Sequence, residues 1–200
     1  MSLSPGEDLH AGLDAGWVLP DPGPREALCT RSIVCRSFRR DDGLLDIDGR
    51  FIDTRPFDYE SDFRGPCQSG SALHHMQLRL TVDRNRHIVA LVSAMPSTPY
   101  DTCPGVNPNF QRLVGLSLAR GFRKALRERL GGVEGCTHIT ALLDTMAAAA
   151  VQTFASNAYA PRQSGQPEPV RIWKLDALLD TCHSYRADGP VMQQMKARGR

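Results

Sequence analysis

The chain has no apolar run approaching the ~18 residues that a membrane-spanning helix needs, which argues against a transmembrane protein. It has almost no charge excess: 24 Lys and Arg against 22 Asp and Glu leave a net charge of +2. Aromatics are sparse, at 6%. There is therefore no basic, aromatic-rich stripe of the kind that binds nucleic acid, and nucleic acid is not expected as a partner. The first residues, Met1 to Asp8, lack a basic region followed by an apolar stretch, so no secretory signal is read and a cytoplasmic location is expected. Paired Cys-x-x-Cys motifs are absent, which removes the zinc-finger signatures.

What is present is an ordinary soluble composition with an above-average supply of thiols. Six cysteines occur at positions 29, 35, 67, 103, 136 and 182. In a reducing compartment disulfides explain them poorly, and buried inert thiols explain most of them. Cys29, Cys35 and Cys67 have no partner pattern and read as structural. Cys182 lies at helical spacing from Leu175, Leu178 and Leu179, which suits core packing.

Residues 1–28 are rich in Pro, Gly and Asp and read as a mobile arm. Residues 29–187 read as one domain, and residues 188–200 as a basic tail. Arg31–Arg39 and Leu44–Thr54 are expected strands around an Asp41-Asp42-Gly43 turn. Arg55 to Ser71 reads as a loop. In the next hairpin, Met76, Leu78, Leu80 and Val82 alternate with Gln77, Arg79 and Thr81, which predicts one buried and one wet face. That period places His74 on the apolar face and His75 on the polar one. A loop with four prolines, containing Cys103, follows. Helices are expected from Phe110 to Leu130, from about Thr137 to Ser156, and from Ile172 to Ser184, with a Pro/Gly linker over Ala160–Pro169. Strands followed by helices predict an α+β domain: an antiparallel sheet of two hairpins, then three helices packed on one face.

The most informative segment is Gly135-Cys136-Thr137-His138. Two soft ligands lie two residues apart, after a glycine-rich break and at the start of an apolar helix. The positive field of a helix N-terminus favours thiolate there. With His74 and Cys103, these residues make a four-ligand set for zinc, with iron as the alternative metal. Four protein ligands would close the site; three would leave a position for water and permit catalysis, with His138 as an acid/base residue. A metal-free alternative makes Cys136 a nucleophile with His138 or His74 as its base. A third reading is a non-catalytic module that binds metal or assists assembly. His75 and His183 are expected to face solvent.

Two charged clusters invite blander explanations. Arg120, Arg123, Lys124, Arg127 and Arg129 read as a solvated helix face, although they could receive a carboxylate or a coenzyme A phosphate. Asp41, Asp42, Asp46 and Asp48 lack the spacing of a calcium loop.

Several motifs together resemble a bacterial family of uncharacterised proteins, the domain of unknown function 2889. They are Arg39-Arg40-Asp41-Asp42-Gly43-Leu44, His74-His75-Met76, Pro99-Tyr100-Asp101-Thr102-Cys103, Gly135-Cys136-Thr137-His138 and Asp180-Thr181-Cys182-His183-Ser184-Tyr185. The resemblance spans about residues 30–190. It carries no established activity; it implies a place in the catabolism of small carboxylates or acyl (coenzyme A) thioesters. A fainter likeness to the iron–sulfur scaffold (NifU-like) fold implies that His74, Cys103 and Cys136 converge, although the scaffold's Cys-Gly-Asp signature is absent. Together these readings lead to the expectation of a zinc-dependent hydrolase or lyase with a small-molecule substrate, and a homodimer is possible.

Overall fold

A computed structural model describes residues 18–21, 23–119, 121–154 and 179–197. The expected linker at 160–169, most of the expected helix at 172–184 and most of the N-terminal arm lie outside the described residues. The chain divides into two compact units, Met1–Ala150 and Val151–Arg200.

The first unit is built on a four-stranded antiparallel sheet. Strands β1 (Thr30–Arg39), β2 (Leu45–Thr54), β5 (Ala72–Val82) and β6 (Ile88–Ser97) run in the spatial order β1-β2-β5-β6. Both hairpins read from the alternation are present. Between them, the segment expected to be a loop instead contains a small second sheet, β3 (Tyr59–Ser61) paired with β4 (Gly65–Cys67). Three-residue strands are too short to show a period, so this hairpin left no alternation to read.

Side chains alternate across the main sheet. Leu45, Ile47 and Phe51 of β2 and Met76, Leu78, Leu80 and Val82 of β5 turn to one face and are buried. Helix α2 (Thr137–Phe154) covers that face. Its buried residues Ile139, Leu142, Leu143, Met146 and Ala150 repeat at helical spacing and form its apolar stripe. Gly49 of β2 explains how closely α2 approaches. A Cβ there would lie 2.5 Å from Met146 Sδ and 2.9 Å from Leu142 Cδ1, so any larger residue would force those side chains to shift.

Cys136 immediately precedes α2, and its carbonyl accepts hydrogen bonds from the Thr140 N–H (2.9 Å) and hydroxyl (3.0 Å). It therefore serves as the helix N-cap through its backbone. The loop before it is tied down by Asn109, whose amide donates to the Glu134 carbonyl (2.9 Å), and by an Arg112–Glu134 ion pair at 2.6 Å.

The helix expected over Phe110–Leu130 is not continuous. Cys103–Leu113 is a 3-10 segment, and α1 covers only Phe122–Leu130. The intervening backbone pairs with the start of β6: Ile88 N–H donates to Leu116 O, and Leu118 N–H donates to Arg86 O. Gly121, at φ 93°, makes the left-handed turn that starts α1. Tertiary pairing thus overrides an amphipathic pattern that would suit one long helix.

In the second unit, Pro190–Ala197, read from sequence as part of a basic tail, forms a short helix, α3. Cys182, expected in a core, is exposed. The described residues around it form a turn and a 3-10 segment (His183–Tyr185). No helix among the described residues is long and apolar enough to cross a membrane.

Candidate metal centre

The strand register brings three residues into one row on the helix-covered face. Arg31 of β1 lies opposite Asp53 of β2, and Asp53 lies opposite His74 of β5. Irregularities in the pairing flank this row, between Asp53 and Thr54 and between His75 and Gln77. Such bulges re-aim side chains beside functional positions. The start of α2 places the fourth member, His138, over the row: the His74 and His138 rings stand 3.8 Å apart at 34°. Phe51 closes the apolar side with its ring 5.2 Å from His138.

Asp53 is held from both strands. Arg31 forks onto it, Nε to Oδ1 at 2.7 Å and Nη2 to Oδ2 at 2.9 Å. His74 Nδ1 is 2.9 Å from Oδ2. Burial would raise the Asp53 carboxyl, but the hydrogen bonds and charge of Arg31, with His74, outweigh it and hold the pKa below the ordinary value. An ionised carboxylate only accepts, so His74 Nδ1–H must donate. The lone pair that His74 presents elsewhere is therefore on Nε2.

Burial also lowers the His74 pKa, against the pull of Asp53. Burial likewise lowers that of His138, and the facing His74 lowers it further. Both imidazoles are neutral at pH 7, the form that binds metal. One ligand atom from each of Asp53, His74 and His138 falls within 4.8 Å of the others. Ligands of a single zinc, each at about 2.0–2.2 Å, stand roughly 3.3–3.6 Å apart. Binding one ion to both Asp53 and His74 would exchange their 2.9 Å hydrogen bond for metal bonds. Asp53 and His74 are largely buried, with side chains 13% and 10% exposed, and His138 is half-buried.

The structure brings together some of the residues selected from sequence. His74 is on the apolar face, as the alternation requires, and His138 meets it. Cys136 Sγ lies 3.8 Å from His138 Nδ1, beside the group without belonging to it. Cys103, at the start of the 3-10 segment, belongs to no such group among the described residues. Of the expected set of His74, Cys103, Cys136 and His138, the two histidines form a group with Asp53 among the described residues, and the two cysteines lie outside that group. His75, expected at the wet surface, is buried at 3% exposure, and the Gln77 amide lies 2.9 Å from its Nε2. The opposite sheet face is covered at this end, where Ser32, Ile52 and Thr54 are buried too.

Asp53 and Arg31 escaped the reading of the sequence, yet a signal for Asp53 was present. Leu45, Ile47, Gly49, Phe51 and Asp53 share one strand face, and an acid at the end of an apolar row requires a partner.

A family model matches residues 29–152, and the chain belongs to that family, described as a protein of unknown function (DUF2889). No curated protein and no solved structure matches the chain.

Proposed function

We propose that this family member binds one divalent metal ion through Asp53, His74 and His138, and that the metal is zinc, with iron as the chemical alternative. The observation that carries this reading is the convergence of two neutral imidazoles and one ionised carboxylate within 4.8 Å in a largely buried setting. Two histidines and a carboxylate are a recurrent set for catalytic zinc and for non-haem iron. Three protein ligands leave a position for water or substrate, which favours an enzyme over a structural site. The metal would polarise a carbonyl or lower the pKa of bound water, in a hydrolase or lyase reaction. Arg31 and Arg64 both lower the His74 pKa through their charge, so the surroundings suit a small carboxylate or acyl substrate.

Metal entry has a defined consequence for His74. A carboxylate has about four lone-pair sites, so Asp53 can ligate and keep the Arg31 fork; the bond that joint ligation exchanges for metal bonds is the one from His74 Nδ1–H to Oδ2.

The test is metal content by mass spectrometry on the tag-free full chain after loading with zinc or iron under reducing conditions. The expected result is about one metal per chain, lost in His74→Ala and His138→Ala and retained in Cys136→Ser. No bound metal overturns the proposal.

One contact favours a second reading. Cys136 Sγ and His138 Nδ1 are 3.8 Å apart, a separation from which the imidazole can take a thiol proton after a small approach. In that metal-free enzyme Asp53 and His74 would form an orienting pair beside the nucleophile. Fast alkylation of Cys136 that slows in His138→Gln, without bound metal, would select it.

A further inference from the structure

The sheet face opposite the metal centre carries its own charged row. Arg36 of β1 lies opposite Asp48 of β2, and Asp48 lies opposite Arg79 of β5. Arg79 forks onto Asp48 at 2.6 and 2.7 Å. Arg50, one row along on β2, is diagonal to both Arg36 and Arg79, at separations of roughly 7–8 Å in such a sheet. Three cations thus surround one acid. Asp46, the next acid on this face, is already engaged, by Arg40 at 3.5 Å and by the Thr81 hydroxyl at 2.7 Å. Among the described residues neither Arg36 nor Arg50 has an ion-pair partner.

These residues line an open groove of about 410 Å³ whose apolar contacts include Val34 and Val92. Val92 is 64% exposed, unlike the buried residues of the opposite face. The volume falls among small-molecule sites.

We propose that this groove binds a small organic dianion, a phosphate monoester or a dicarboxylate, with Arg36 and Arg50 on its oxygens and its apolar body on Val34 and Val92. Guanidinium groups pair bidentately with either oxyanion. Two unpaired arginines match two negative charges. The proposal is independent of the metal centre, which lies on the other face.

Calorimetric titration of the full chain with phenyl phosphate, phthalate and inorganic phosphate tests it. Saturable binding of phenyl phosphate or phthalate, tighter than inorganic phosphate, is expected; which of the two binds identifies the source of the charge. Arg36→Gln with Arg50→Gln should weaken that binding at least tenfold, while Lys124→Gln, an exposed change at a residue that does not line the groove, leaves it unchanged. Val92→Asp, a single exposed change that puts a negative charge into the groove, should produce a similar loss and serves if the double variant fails to fold. Absence of saturable binding, the affinity of the unmodified chain retained in the double variant or in Val92→Asp, or loss on Lys124→Gln overturns the proposal.

Discussion

The two faces of one sheet carry the same device in different surroundings. On the covered face Asp53 sits between Arg31 and His74; on the open face Asp48 sits between Arg36 and Arg79. Each acid occupies β2 and accepts a forked arginine from a neighbouring strand. Asp53, however, is 13% exposed and Asp48 is 32% exposed. Water screens the second row and leaves its charges available to a solute. Burial desolvates the first, fixes the His74 tautomer and keeps both imidazoles neutral. The difference shows that the acid alone does not gather a group of candidate ligands. α2 does, by covering one row and adding His138 to it.

The largest effects should separate the faces by packing. Leu142→Ala, on the buried stripe of α2, should cost ~2–5 kcal/mol in chemical denaturation. Val92→Ala on the open face should stay within about 0.5 kcal/mol. Comparable losses would mean that the open face is covered in solution.

Next come the two acids. Asp53→Ala leaves the buried His74 Nδ1–H without its acceptor and should cost ~1–3 kcal/mol. Asp48→Ala removes a largely solvated pair and should cost under ~1 kcal/mol. Thermal melts of the metal-stripped variants compare them, and an equal cost would erase the distinction drawn from burial.

A smaller effect is expected from pH. The His74 and His138 pKa values are depressed on folding, so between those values and the unfolded value of about 6.5 the unfolded chain binds more protons. Their contribution to stability is present above pH 6.5 and is lost as pH falls through the folded values. Asp53, also depressed, adds a loss at lower pH, below its unfolded value of about 3.9. Metal-free protein should therefore be less stable at pH 5 than at pH 7, and the slope should shrink in His74→Gln. An unchanged slope would show that the buried row does not titrate as described. Arg36→Gln should leave it as in the unmodified chain.

Much of this architecture was legible in the sequence. Period-two alternation marked both long hairpins and put His74 on the correct face. The Cys136–His138 segment marked the start of α2. The partners were harder to read. Asp53 meets His74 only through the β2–β5 register, 21 residues apart in sequence. Proximity in sequence favoured Cys136, whose thiol instead lies beside the group. Cys103 was chosen for its chemistry, its place in a loop and the scaffold likeness, and a loop of prolines gives no period from which to place it. The break before α1 was hidden because its backbone partners are on β6.

The central claim is that the covered row, and not its exposed counterpart, holds a metal. Zinc affinity measured by chelator competition at pH 7.5 in Asp53→Ala and Asp48→Ala tests it directly. The account predicts a loss of at least about tenfold in Asp53→Ala and no change in Asp48→Ala. Equal affinity in both variants, or a loss confined to Asp48→Ala, would contradict it.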